Sequence, residues 1–189
     1  MLRRVAGMVV ASAVIAAAAS AAAPAQLGGL FRKNKDPEFK SFQAPSQRFT
    51  VEYPSRDWDV RPGGTGTVVF NQKKGEAAVT IEYEALPRAL ALSDIDDTTA
   101  RYEIERIKRQ LPRADGFKPQ VRETDPRRLI VIDYRRPAIP SGVEQARQHS
   151  LIHGRDVYRI ICSASSALFT KYEPVFTHVV DSFKVAETP

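Results

Sequence analysis

Apolar residues recur along this chain with two different periods, and the order of those periods is what most constrains its fold. Between residues 49 and 53 apolar and polar side chains alternate, which is typical of a strand with one buried face. Val79, Ile81 and Tyr83 repeat that spacing, and 68–71 and 77–84 together predict a hairpin. Further strands are predicted over 118–123, 128–135, 144–153 and 157–163.

Two segments have helical spacing instead. Ala100, Ile104, Ile107 and Leu111 form one apolar stripe, which follows an acidic start at 94–97 and ends before Pro112. The last segment, 165–183, carries a broad apolar face that includes Phe169, Tyr172, Phe176 and Phe183. We expect Ser165 or Ser166 to cap it, and Pro174 to split it into a short turn and a main helix.

The order of elements is therefore three strands, a helix, four strands and a helix. Because short links join neighbouring strands, the sheet is expected to be mostly antiparallel, with both helices packed against it. The predicted class is α+β, and the apolar run 129–132 is expected to be the central strand, buried on both faces.

The N-terminal 25 residues have the three-part form of a secretory signal. Arg3 and Arg4 precede an uncharged run from Val5 to Ala19, and Ala23-Pro24-Ala25 fits a cleavage site before Gln26. An uncleaved membrane anchor is the alternative, although an alanine-rich run favours a signal over a stable span. We therefore predict export to the periplasm or the medium. No cysteine follows the apolar run, so no lipoprotein is expected.

Residues 26–41 are predicted to be a flexible basic linker, and residues 42–186 a single α+β domain. The formal charge of the chain is +6, and removal of Arg3 and Arg4 leaves 6 − 2 = +4. This modest excess is spread along the chain, so it suits contact with an anionic surface or polymer and does not indicate nucleic acid. The linker could also make electrostatic contact with an anionic membrane.

The single cysteine, Cys162, lies in an apolar run and is expected to be a buried thiol without a catalytic role. His149 and His153 would share a metal ion only if their segment were helical. On a strand they are about 13 Å apart, which is too far for one ion. We therefore expect no metal site and no cofactor.

No catalytic constellation is visible in the sequence. Residues 94–105 fail the calcium-loop pattern because Thr99 occupies its glycine position. The glycines of 62–66 are not followed by the lysine of a phosphate loop, and no Gly-x-Ser-x-Gly motif occurs. Tyr53, Trp58, Tyr83 and Tyr134 are expected in the core and on sheet faces rather than around a ligand.

Two arginine pairs flank the expected central strand. Arg127 and Arg128 precede it, and Arg135 and Arg136 follow it. A basic patch at either end could bind an acidic partner or an anionic envelope polymer, although solvated strand ends are the simpler interpretation.

Three packing motifs resemble the PsbP-like superfamily: a strand ending in Tyr53-Pro54, Trp58 four residues later, and a closing Phe176-x-x-Val179-Val180-x-Ser182-Phe183. The resemblance covers about residues 42–185. It implies an antiparallel sheet flanked by helices, and a role in binding proteins rather than in catalysis. None of the family's partner-binding or metal-binding residues can be matched onto this chain.

The leading hypothesis is a non-catalytic envelope protein that binds another envelope protein as an assembly or accessory factor. The alternative is a module that binds a small ligand or a metal in a pocket between sheet and helix. An enzyme is the third hypothesis, and it would need convergent polar residues in a cleft.

Overall fold

The computed structural model describes residues 37–44, 46, 48–124, 127–138 and 142–186. The predicted signal and most of the predicted linker lie outside the described residues. In chain order the elements are β1 Phe39–Ala44, β2 Phe49–Pro54, β3 Trp58–Pro62, β4 Thr67–Gln72, β5 Ala77–Ala85, α1 Asp97–Gln110, β6 Asp115–Thr124, β7 Arg127–Pro137, β8 Val143–His153, β9 Asp156–Ser165, α2 Phe169–Ser182 and β10 Lys184–Val185.

The strands form two antiparallel sheets. The larger sheet has seven strands in the order β3-β4-β5-β9-β8-β7-β6, and the smaller has three in the order β1-β2-β10. In the larger sheet, neighbouring strands are also consecutive in the chain except β5 and β9, which α1 and β6–β8 separate. In the smaller sheet the last strand, β10, pairs with β2. The predicted α+β class with a mostly antiparallel sheet is confirmed.

Each face of the large sheet has its own core, and each core occupies a different half of the sheet. On one face, α2 and the small sheet pack over β3, β4, β5 and β9, with Phe49, Phe70, Tyr158 and Phe176 fully buried or nearly so. On the other face, α1 packs Ala100 and Ile107 over the β6–β8 half. The α2 side of β6–β8 is therefore left largely open, which creates the site described below.

Ile130, Val131 and Ile132 are buried and Leu129 is half-buried, but the prediction that the run 129–132 is the central strand is wrong. It belongs to β7, which lies second from the edge, and β9 occupies the centre with every residue from Val157 to Ala164 buried. Local apolar content reports the burial of a strand but not its order in the sheet. The half-covering helices bury β7 almost as well as a central strand would be buried.

The start of α1 agrees with the prediction. The Asp96 carboxylate accepts hydrogen bonds from the backbone N–H groups of Thr98 and Thr99, at 2.8 and 3.0 Å. These bonds hold the pKa of Asp96 below its usual range, because they stabilise the charged form. The acidic run is thus a helix start.

The predicted division of the last helix is wrong. Helix α2 runs unbroken through Pro174, and it begins after Leu168 without a side-chain cap from Ser165 or Ser166. Pro174 is exposed, so its ring lies in solvent, and the buried aromatic face on the opposite side holds the helix together. Among the described residues, neither α1 nor α2 combines the length and the apolar character that crossing a bilayer requires.

Replacing Pro174 should therefore stabilise the protein. Pro174→Ala restores an N–H that can bond to the Thr170 carbonyl, and we expect the free energy of unfolding to rise by roughly 1–2 kcal/mol. Urea denaturation followed by circular dichroism measures this. Thr177→Ala, at another exposed position of α2, reports the effect of helix propensity alone. A loss of stability in Pro174→Ala would show that the proline is required for the path of the helix.

Strand β1 is an addition that the sequence pattern does not predict. It begins at Phe39, inside the predicted linker, and pairs along its whole length with β2. Its polar residues Lys40, Ser41 and Gln43 obscure the alternation, and Phe39 is held by stacking on His178 of α2, with 3.6 Å between ring centroids.

Candidate functional site

A cavity of about 180 Å³ lies between α2 and the open half of the large sheet. Its floor is apolar and its rim is charged. The floor is formed by Leu129, Val131, Cys162, Phe169, Phe176 and Val180, and the rim by Arg122, Arg147, His149, Glu173, Thr177 and Asp181. We call this the α2 cavity.

A second recess lies beside it on the same face of the sheet. It has a volume of about 340 Å³ and is lined by Gly116, Lys118, Asp133, Tyr134, Arg135 and Gln145. Gly116 has a φ of +67° in a bulge of β6, and a Cβ there would come within 3.2 Å of the Arg135 Nε. We call this recess the polar depression, and the two together the α2 groove.

Arg147 joins the two parts of the groove. Its guanidinium donates to Asp133 at 2.7 Å and to Glu173 of α2 at 2.8 Å, and it packs over the Phe169 ring. Burial opposes the charged form, but the bonds to the two carboxylates outweigh burial and raise the pKa of Arg147. The Arg147 guanidinium is therefore fixed in place, and its charge is already balanced by two carboxylates.

The two cations on β6 differ from Arg147. Arg122 donates only to the neutral Gln120 side chain, at 3.2 and 3.0 Å, and Lys118 makes no ion pair within the described residues. Both side chains are exposed on the groove side of the edge strand. On the opposite rim, Asp181 of α2 has no described cation partner. The groove is thus basic along β6 and acidic along α2.

His149 faces the α2 cavity in its neutral form. Burial, followed by the nearby charges of Arg147 and Arg122, lowers the pKa of His149 to about 4. No described residue forms a hydrogen bond with the imidazole. Every fully buried polar side-chain atom in the described part of the chain has a hydrogen-bond partner, so the imidazole nitrogens are not fully buried. The ring nitrogens of His149 are therefore open to the cavity and available to a ligand.

Cys162 lies at the cavity floor but is 1% exposed, as predicted, and burial raises the pKa of its thiol to about 12. We expect the native protein to react with a thiol reagent at least about a hundredfold more slowly than the urea-unfolded chain, because the thiolate is almost absent at pH 8. Absorbance after addition of an aromatic disulfide reagent measures both rates. Similar rates in the two states would mean that the cavity opens and exposes the thiol.

A buried ionic cluster under α1 was not predicted from the sequence. Glu103 and Arg159 form a bidentate pair at 2.7 and 2.8 Å, and both side chains are no more than 4% exposed. Arg106, Gln148 and Ser150 complete the cluster around the same carboxylate. Burial raises the pKa of Glu103, but Arg159 and Arg106 together outweigh it and the net shift is downward. Every described polar group of this cluster is satisfied internally, so it is a structural element.

Solved structures share this architecture. The solution structure of cyanobacterial PsbP from Synechocystis matches with a TM-score of 0.63 and 15% identity, over 84% of this chain and 98% of that one. The Ran-binding protein Mog1p of Saccharomyces cerevisiae matches with a TM-score of 0.56 and 7% identity, over 80% and 97%. A Bacteroides thetaiotaomicron protein matches with a TM-score of 0.57 and 12% identity, over 78% and 48%.

The chain has the PsbP-like fold. This confirms the resemblance seen in the packing motifs, since Tyr53, Trp58, Phe176, Val179 and Phe183 are all buried in the core beneath α2. No protein-family model matches the sequence, and no curated protein sequence matches it significantly.

Within the PsbP-like fold the four predicted patch arginines do not form one cluster. About eight residues of β7, or roughly 26 Å, separate the two pairs. Arg128 pairs with Glu123 and donates to two backbone carbonyls of the segment before α1. Arg135 pairs with Asp115 at 2.9 Å. Arg136 pairs with Glu144 at 2.8 Å. Arg127 lies at the start of β7. Only Arg135 lines the α2 groove, and a partner-binding role for the four stays a prediction.

The histidines lie as the strand prediction placed them, on β8, with His149 partly buried and His153 exposed. Within the described ranges, no three His, Cys, Asp or Glu side chains are grouped closely enough to hold a metal ion. The α2 groove is thus the one described surface where apolar floor, uncompensated cations and an open imidazole converge in this PsbP-like fold.

Proposed function

We propose that this protein is an exported, non-catalytic accessory module of the cell envelope that binds another protein in the α2 groove. The observation that carries the proposal is the half-covered sheet. The α2 cavity leaves the apolar side chains of Leu129 and Val180 only partly buried, and a binding partner would complete their burial.

The size of the cavity favours a protein partner. About 180 Å³ is below the roughly 300–1,000 Å³ of typical small-molecule sites, but it suits one inserted aliphatic or aromatic side chain. Protein interfaces concentrate their binding energy in such anchors, surrounded by a polar rim that excludes water. The groove has that arrangement, with Arg147 and Glu173 fixed at the rim.

The chemistry of the groove supports binding over catalysis. The Cys162 thiol is held in its unreactive protonated form, and no described nucleophile is hydrogen-bonded to His149. Arg147 is saturated by two carboxylates, so it is not free to stabilise a developing negative charge. Mog1p is a protein-binding example of the same fold, although fold likeness carries no partner with it.

Blocking the cavity tests the proposal. We would pan a phage library of random 12-residue peptides on the full-length protein and measure the affinity of the selected peptides by fluorescence anisotropy. Thr177→Trp places an indole over the cavity mouth and should abolish binding. Thr170→Trp, on the same helix and also exposed but not lining the cavity, should retain it. Equal binding by both variants would contradict the proposed surface.

The export half of the proposal rests on the sequence of residues 1–25. N-terminal sequencing of the protein recovered from fractionated cells should begin at Gln26 in the periplasmic or secreted fraction. A chain that retains Met1 and sediments with membranes would indicate the uncleaved anchor.

A second candidate is a small-ligand module, favoured by the polar depression of about 340 Å³, which falls within the size range of ligand sites. Its lining includes Lys118, Arg135 and Gln145, so an anionic metabolite is the class it would take. A panel of small carboxylates and phosphates should then raise the melting temperature. A melting temperature that none of these compounds changes would exclude the small-ligand function.

A further inference from the structure

The charges of the α2 groove are not balanced locally. Along the β6 rim, Arg122 reaches only a neutral amide and Lys118 has no described carboxylate, while Arg147 and Arg135 are already paired. The groove therefore has two cations that no described carboxylate neutralises. Arg122 also lines the α2 cavity itself, so its guanidinium borders the apolar floor.

A ligand that fits this arrangement has two adjoining parts. One part is a single apolar side chain that fills the cavity above Val131 and Phe176. The other is a carboxylate on its β6 side, to which the Arg122 N–H groups not bonded to Gln120 can donate charge-assisted hydrogen bonds.

Building on the proposed function, we propose that the partner is an acidic protein segment, which inserts an apolar side chain into the α2 cavity and presents an adjoining carboxylate to Arg122 and Lys118. The neutral imidazole of His149 adds a hydrogen-bond partner at the cavity wall. An isolated apolar group would leave Arg122 without a counter-charge, and an isolated anion would leave the α2 cavity unfilled.

The charge on the opposite rim determines how the acidic segment is oriented in the groove. Asp181 is exposed on α2 and would repel a carboxylate placed on that side. The acidic residue therefore lies toward β6, and the apolar anchor lies between it and α2. Removing the Asp181 charge should leave the affinity unchanged or tighten it, whereas removing the Arg122 charge should weaken it.

The test compares selected 12-residue peptides against charge variants of the full-length protein. The peptides should share an acidic residue beside a large apolar one. We expect Arg122→Glu to weaken their binding about tenfold or more, and to flatten the dependence of affinity on salt concentration. Asp181→Asn should not weaken it. Arg61→Glu is the matched control, since Arg61 is an exposed strand arginine at the far edge of the sheet, and it should change affinity less than twofold.

The outcomes separate this inference from the proposed function. If Thr177→Trp abolishes binding but Arg122→Glu does not weaken it, the groove binds protein and the acidic partner is refuted. If no peptide depends on the cavity, the proposed function fails and this inference fails with it. Phosphatidylglycerol vesicles that bind the wild type but not Arg122→Glu, without any selected peptide, would overturn the inference in favour of an anionic surface.

Discussion

Glu103→Ala should lower the free energy of unfolding by about 3–5 kcal/mol, because it leaves the Arg159 guanidinium buried without its principal counter-charge. Arg159 is 3% exposed and would keep only Glu84, whose side chain is half exposed. Gln148 and Ser150 would lose an acceptor at the same time. Urea denaturation monitored by tryptophan fluorescence and by circular dichroism measures the change.

Glu105→Ala is the matched control for this prediction. Glu105 lies two residues further along α1, is 57% exposed and pairs only with Lys108. An exposed pair of this kind contributes little, so its removal should change stability by less than about 0.5 kcal/mol. Equal, small losses in the two variants would show that the cluster under α1 is hydrated in solution.

The second large effect is a loss of folding stability as the pH falls. The pKa of His149 falls from 6.5 in the unfolded chain to about 4 in the folded protein, so between these values the unfolded chain binds the extra proton. Stability conferred by neutral His149 is therefore complete above pH 6.5 and decreases as the pH falls toward 4. The loss should reach at most about 3 kcal/mol, since each pKa unit corresponds to about 1.4 kcal/mol.

The measurement is the free energy of unfolding against pH for the wild type and for His149→Gln, which has a neutral side chain of similar size. The wild-type curve should fall more steeply between pH 6.5 and 4, and the two curves should run parallel below pH 4. His153→Gln, at an exposed position of the same strand, is the matched control. Parallel curves across the whole range would mean that His149 is hydrated in the folded state.

Local periodicity accounts for the part of the fold that the sequence predicts. The stripe that includes Ile104 and Ile107 specifies α1, and the alternation through 144–153 specifies β8, because burial on one side imposes these spacings directly. Glu103 is adjacent to that stripe, and a carboxylate beside an apolar stripe is the one local signal that could have indicated the buried cluster. Its partner Arg159 comes 56 residues later in the chain.

The order of strands in the sheet and the path of α2 were not predictable in this way. Strand order follows from which hairpins meet, and β5 pairs with β9 across four intervening elements. Pro174 indicates a break by local rules, but tertiary packing of Phe169, Tyr172 and Phe176 holds the helix intact.

The α2 groove depends wholly on tertiary structure. It exists because α2 covers one half of the sheet on one face and α1 covers the other half on the opposite face. No local sequence pattern specifies that offset between the helices. Its central contact joins Arg147 to Glu173, 26 residues apart. The predicted patch relied on adjacent arginines, whereas the structure groups side chains from neighbouring strands on one face, such as Lys118 and Arg135.

Site-specific photo-cross-linking in the cells that produce the protein shows whether a partner protein occupies the α2 groove. A benzophenone side chain would be placed either at Gln120, on the groove side of β6, or at Glu123, on the opposite face of the same strand. We expect a discrete cross-linked protein from Gln120 that Thr177→Trp abolishes, and none from Glu123. A cross-link from Glu123 but not from Gln120, or one that persists in Thr177→Trp, would contradict binding in the α2 groove.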